Sequence, residues 1–407
     1  MTDNTPARGL VSPKAIDNKF SGDAARPGAR RQLRYFEQQQ DRIVDTIREL
    51  VEIESPSDDK PAVDRIAALL AAKFEALGGR TQLHRSIEFG DSLQVNFDKA
   101  CDTSRKPVLL LGHYDTVYPL GTLAKMPCEI EEGKLRGPGV LDMKSGMALI
   151  LHAIEALQAW HGQVPRPVTV FLVSDEEVGS YSSRKITEAL AKKSAGVLVL
   201  EPAAGHGAVK TARKGVGEYT LRVKGIASHA GLDPGKGHSA IIELARQIAV
   251  LAKFNNLRRG VSVNPGVIMG GTRTNVVAAE ATLGIDVRIK SAKQAAGIDR
   301  QLRALKPFDK QCKVEISGKI NRLPMERTAG VAALYKKARA IAAQIEWKLD
   351  EAAVGGGSDG NFTAGMGIPT LDGMGGVGDG AHATHEFIVI SELPRRALLL
   401  AGMIESA

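Results

Sequence analysis

The chain has 407 residues, with 54 Lys and Arg against 46 Asp and Glu and a formal net charge of +8. Hydrophobic residues make up 43% and charged residues 25%, which excludes wholesale disorder or a fibre, and the length suggests two or three domains. No apolar run approaches the ~20 residues that span a bilayer. Aromatics at 4% argue against a base-stacking surface, and three widely spaced cysteines (Cys101, Cys128, Cys312) offer neither a disulfide framework nor a Cys-x-x-Cys zinc pair.

Residues 1–38 carry seven basic and four acidic residues and no hydrophobic periodicity. They read as a partly disordered tail. They show neither the apolar stretch nor the cleavage site of a secretory signal, so a cytoplasmic protein is expected. From about residue 40 helix and strand alternate. Asp41–Glu54 and Val63–Leu77 carry apolar residues at helical spacing. Residues 107–112, 167–173 and 196–200 are short continuous apolar runs, as in strands buried on both faces of a sheet. Helical segments at about 144–160 and 182–193 separate them, which predicts an α/β domain with a mixed, largely parallel sheet flanked by helices.

The segment 214–320 has another rhythm, with strands at 218–224, 262–269, 281–289 and 313–316 and helices at 239–254 and 292–305. It predicts a small α+β unit of about four strands and two helices. A helix at about 328–343, glycine-rich loops and a last helix at about 392–404 follow. The expected organisation is a tail (1–38), a catalytic domain in two parts (39–213 and 321–407), and an inserted domain (214–320).

Each apolar strand ends in a polar cluster. His113-Tyr114-Asp115 follows the first, Ser174-Asp175-Glu176-Glu177-Val178-Gly179 the second, and Glu201-Pro202 the third, while Gly137 to Asp142 leads into a helix. Ligands of open α/β sheets bind beyond the carboxyl ends of strands, so these clusters would converge. Alone, each has a plainer reading, since such a histidine is more often a structural hydrogen-bonder and Glu-Glu a solvated helix start. Together they supply imidazole and several carboxylates, a nitrogen and oxygen ligand set suited to Zn²⁺.

These motifs, with Asp142-Met143-Lys144 and a late His382-Ala383-Thr384-His385-Glu386, resemble the zinc-dependent peptidases and deacylases that include acetylornithine deacetylase, succinyl-diaminopimelate desuccinylase and aminoacylase. The resemblance covers about residues 40–405 and is closest to the glutamate carboxypeptidases. It implies two Zn²⁺ ions bridged by Asp142, one completed by His113 and Glu201 and the other by Glu177 and His382; Co²⁺ or Mn²⁺ could fill the same ligands. It implies Glu176 as general base and Asp115 as the group that orients His113. His385 competes with His382, but the family's ligand stands four residues before the motif's glutamate, which selects His382. In the inserted domain His229 matches a lid histidine that serves the neighbouring subunit's oxyanion, implying a homodimer through that domain. Asn275, Arg288 and Arg322 match substrate-binding positions, and the backbone N–H groups of the glycine loop at Gly356 and Gly357, before a probable helix at 360–364, can hold a carboxylate.

The reaction so implied is hydrolysis of an amide or peptide bond by metal-bound hydroxide, releasing an amino acid with a free α-carboxylate. An N-acyl amino acid deacylase of broader specificity and a non-catalytic peptide-binding homologue are the alternatives. One departure concerns the side chain. The family's glutamate-binding lysine falls at Val209 here, with Lys210 one step off and so on the opposite face of a regular strand, which leaves glutamate selectivity unsupported. The charge has an address, because residues 214–320 hold 18 Lys and Arg against eight Asp and Glu, a net of +10, and the rest of the chain is 8 − 10 = −2. A basic lid above an acidic metal site suits capture of a small anionic acyl amino acid or peptide, with no nucleic acid or membrane partner.

Overall fold

A computed structural model describes residues 28–98 and 104–406; the expected tail up to residue 27 and Cys101 lie outside them. Its larger sheet has six strands in the order Arg80–His84, Ser92–Phe97, Val168–Val173, Val108–His113, Gly196–Val199 and Thr370–Leu371. The last four run parallel and the first two join antiparallel, so the sheet is mixed and largely parallel, as expected.

The continuous apolar runs have a simple cause. Val108, Leu110, Val170 and Leu198 face a layer of helices that includes Ser145–His161, Ala329–Ala343 and Leu393–Ser406. Leu109, Leu111, Phe171 and Val199 face the helix Arg184–Lys193 on the other side. Both parities of each strand are therefore buried, and truncating one such leucine to alanine would cost about 2–5 kcal/mol. A stiff platform of this kind holds its strand ends in place.

The smaller sheet is antiparallel, in the order Ser262–Gly270, Glu280–Ile289, Gly215–Lys224 and Lys313–Arg322. The helices Ala240–Ala252 and Ala292–Arg303 cover one face over a separate core of Leu221, Val223, Leu283 and Ile285. This is the expected α+β unit of four strands and two helices. Its last strand runs on to Arg322, beyond the expected end near residue 316.

Residues 29–38, assigned above to the tail, form the helix Ala29–Gln38. Its buried Phe36 and neighbouring Tyr35 meet the ring of Trp160 edge-on at 5.6 and 5.7 Å. Leu33, Tyr35 and Phe36 line the core-facing side of the helix, but so few apolar residues are a weak signal alone, and the helix rests on this tertiary contact. Among the described residues no helix is long and apolar enough to cross a membrane.

Candidate active site

Parallel pairing of Val108–His113 with Val168–Val173 puts His113 opposite Val173, so both strands end at one level. The clusters that follow them meet there. His113 Nε2 lies 3.2 Å from Asp142 Oδ1 and 3.5 Å from Glu201 Oε1. His382 Nε2 lies 3.5 Å from Asp142 Oδ2 and 3.1 Å from Glu177 Oε2. Two ligand groups result, His113–Asp142–Glu201 and Asp142–Glu177–His382, each with its donor atoms within 4.8 Å of one another and Asp142 common to both. Two imidazoles and three carboxylates in this arrangement fit a pair of divalent ions such as Zn²⁺, Mn²⁺ or Co²⁺.

The electrostatics agree with a cation site. Burial opposes charge on the His113 imidazole, but Asp115, Asp142 and Glu201 outweigh it and drive its pKa well up. The carboxylates of Asp142 and Glu177 push His382 up to about 10. Burial would raise Asp142, yet the two imidazoles hold it far below the usual carboxylate range. The first group is enclosed, whereas the His382 side chain is 52% exposed and opens the second to solvent. His382 also adopts a left-handed backbone with φ 63°, an uncommon conformation that aims its ring at Glu177. His385, its competitor in the sequence, is exposed and stands outside both groups.

A second layer holds the ligands. Asp115 is fully buried; its backbone carbonyl lies 3.0 Å from His113 Nδ1 and its carboxylate 3.5 Å. It accepts from the backbone N–H groups of Glu176 and Glu177 and from Ser57 Oγ, tying two strand ends together. Glu386, quoted above only as the end of a motif, is fully buried. It accepts from the N–H groups of Gly139, Leu141 and Asp142 and from Tyr118 Oη at 2.7 Å, fixing the turn that presents Asp142. Arg213 also escaped the sequence reading. Its guanidinium donates to Glu201 Oε2 at 3.0 Å, to Asp372 at 2.7 and 2.8 Å, and to the carbonyls of Gly356 and Gly357.

The remaining expected residues separate into two places. Glu176 lies beside the ligands, where burial raises its carboxyl well above the ordinary value against the pull of Arg322. Arg322 Nη2 donates to Glu176 Oε1 at 2.9 Å, Asp359 Oδ1 at 3.0 Å and Ser180 Oγ at 2.9 Å, so this part of the fork braces the Glu176 carboxyl. On the smaller sheet, His229 and Asn275 adjoin through the Ala230 N–H to Asn275 carbonyl bond. Both are exposed, and neither side chain bonds to the ligand cluster among the described residues. Arg288 is gripped by Asp286 at 2.8 Å.

A cavity of about 650 Å³ adjoins Asp142, Glu201 and His382 and is lined by Gly356, Gly357, His206 and Lys210. Lys210 therefore faces the site, whereas Val209 is fully buried in the core. Val209 and Lys210 face opposite ways, as a regular strand requires, but with the two faces reversed from the expectation, and beyond Lys210 the strand carries a bulge. The partner strand pairs Ala352 with Lys210 but the next residue, Ala353, with Ala212, so Thr211 is extra and the parity shifts. Lys210 and Arg213 thus both line the cavity. No carboxylate lies within ion-pair distance of the Lys210 amine among the described residues, and burial pulls its pKa down. The opposite wall is apolar, with Val377, Phe387 and Val389.

Residues 109–406 match the sequence profile described as peptidase family M20/M25/M40. The chain is 30% identical over 376 residues to carboxypeptidase G2 of Pseudomonas sp. (strain RS-16), covering 90% of this chain and 89% of that protein. It is 31% identical over 340 residues to succinyl-diaminopimelate desuccinylase of Dechloromonas aromatica (strain RCB), covering 79% and 89%. In fold it is similar to the crystal structure of an aminopeptidase PepT from Bacillus cereus, with a TM-score of 0.73, 24% identity, and coverage of 90% and 98%.

Proposed function

The chain belongs to peptidase family M20/M25/M40 and so to the hydrolases of amide bonds, and from that premise we propose that it is a dizinc, glutamate carboxypeptidase-like amidohydrolase. The observation that carries this reading is the conjunction of two ligand groups sharing Asp142 with a free lysine, Lys210, in the adjoining cavity. Its substrate is a small N-acyl amino acid or peptide, and the released amino acid carries a free α-carboxylate and an anionic side chain.

Two bound divalent ions would supply a Lewis acid for the scissile carbonyl and lower the pKa of the attacking water. Glu176 takes the proton from that water and returns it to the leaving amine, and its raised pKa suits a group that must release what it has accepted. Asp115 fixes the His113 ring, and Arg213 fixes Glu201, so little reorganisation is needed during the reaction. The Lys210 amine receives the side-chain carboxylate, trading an uncompensated buried charge for an ion pair. The apolar wall of Val377, Phe387 and Val389 supports a second reading, a deacylase that also accepts apolar side chains.

A homodimer through the smaller sheet accompanies this reading. The strand Ser262–Gly270 is an outer strand of its sheet, and its Val267, Ile268 and Met269 side chains are about 60% exposed, beside exposed Ile241 and Ile242. His229 and Asn275 would then act on the partner's site, consistent with their exposed position. The direct test is hydrolysis by the zinc-loaded protein of N-acyl-glutamate, N-acyl-aspartate, N-acyl-aromatic amino acids and dipeptides. Fastest turnover of the N-acyl-glutamate is expected. No release from any of them would overturn the reading.

A further inference from the structure

Arg396 sits in the first turn of the helix Leu393–Ser406 and is fully buried. A cation at a helix N-terminus opposes the helix dipole, and burial adds a desolvation cost that pulls this guanidinium down to about 9. Its offsets are indirect: Glu392 attracts it but pairs with Arg395, the Trp347 ring centroid lies 6.0 Å from its guanidinium carbon, and Arg396 forms no ion pair among the described residues. All its bonds go to backbone carbonyls. Nε donates to Gly375 at 2.8 Å, Nη1 to Gly207 at 3.1 Å, and Nη2 to Gly373.

Those carbonyls belong to two loops that bound the cavity. The first, 201–208, begins at the ligand Glu201 and turns at His206, between Gly205 and Gly207, both at positive φ. The second, 372–382, ends at the ligand His382. The loops meet backbone to backbone, through Gly375 N–H to the Glu201 carbonyl at 2.9 Å and Ala203 N–H to the Gly376 carbonyl at 2.8 Å. A Cβ on Gly375 would stand 2.1 Å from the Leu200 carbonyl oxygen, so no side chain can fill this seam. The seam needs another brace, and the Arg396 fork spans it.

We propose that Arg396 is a positioning residue, which sets the spacing between the Glu201 loop and the His382 loop and with it the width of the side-chain cavity. Its substrate consequence rests on the function proposed above, whereas its structural consequence does not. A buried cation without an ion-pair partner is kept here because a planar fork reaches three carbonyls that a point charge cannot.

The test compares the zinc-loaded wild-type protein with Arg396→Lys, which keeps the charge but loses the fork, and Arg396→Gln. In Arg396→Lys, amide exchange across 202–208 and 373–382 should speed up about tenfold or more, while the strand Val168–Val173 is unchanged. The KM ratio of N-acyl-glutamate to N-acyl-glycine should rise by about tenfold. Unchanged exchange in those segments, or a uniform increase over the whole catalytic core, would overturn the proposal. Lack of activity on both substrates with the expected exchange change would refute the functional reading and leave the clamp standing. Should both variants fail to fold, the wild-type protein decides, because Ala203 and Gly375 N–H must exchange at matching rates if the seam opens as one unit. Rates differing by about 100-fold would overturn it.

Discussion

Arg213 donates to Glu201 Oε2 with the same guanidinium that grips both carboxylate oxygens of Asp372. One buried cation thus neutralises a candidate metal-ligand carboxylate and a second carboxylate outside both candidate groups. Replacing Arg213 with Met strands two carboxylates, of which Asp372 is fully buried. Removing one partner from such a group costs about 3–5 kcal/mol. Denaturant titration of metal-free protein should show that loss. Adding Zn²⁺ should recover part of it through Glu201, and Arg213→Met with Asp372→Leu should recover more. A metal-free Arg213→Met protein as stable as wild type would show that the network carries no stability.

Glu176 feels the charges of His113 and Glu201 but belongs to neither ligand group. Glu176→Gln should therefore bind two ions as wild type does, and its carbonyl can still accept from Arg322. Turnover should fall by about 10²–10⁴-fold, the usual worth of a positioned general base. Metal analysis and steady-state rates on the same sample separate the two effects, and near-normal turnover would remove Glu176 from the chemistry.

The two late histidines give a sharper contrast. His382 Nε2 is 3.1 Å from Glu177, while His385 reaches no ligand group. After dialysis against buffered Zn²⁺, His382→Ala should retain one ion per chain and His385→Ala two. The reverse result would reassign the second ligand group.

Much of this site was legible because strand ends concentrate chemistry. Continuous apolar runs announce strands buried on both faces, and the polar residues that close them must share one edge of the sheet. The same logic is silent on Arg213, Asp372 and Glu386. Each is a single charged residue whose partner lies far along the chain, Asp372 being 159 residues from Arg213 and Glu386 being 244 from Asp142. The face of Lys210 is not readable from a count that starts at Glu201, because the turn at 202–208 decides which residue of the following strand meets the cavity. The helix Ala29–Gln38 offers only a short apolar face, Leu33, Tyr35 and Phe36, which Trp160 from another helix completes.

Lys210 carries the side-chain specificity of the proposed reaction. Lys210→Ala should raise KM for N-acyl-glutamate by about 10–100-fold, the worth of one charge-assisted bond, and leave N-acyl-glycine within about twofold. It should also stabilise the ligand-free protein, since Lys210 is nearly buried without an ion-pair partner. Equal KM changes for both substrates would assign the carboxylate contact elsewhere.

The trans role of His229 can be tested by mixing two inactive chains. Glu176→Gln lacks the base and keeps its lid, while His229→Ala keeps the base and lacks the lid histidine. In a heterodimer, the His229→Ala subunit would receive an intact His229 from its partner, so one complete site forms. Random exchange makes half of the dimers mixed, so roughly a quarter of all sites should regain full turnover. Introducing Val267→Lys and Ile268→Lys into both chains places charges on the exposed edge strand and should abolish both the dimer and the recovery. A dimer and a recovery that both survive the edge substitutions would rule out this edge as the interface, and no recovery in a mixed dimer would confine His229 to its own subunit.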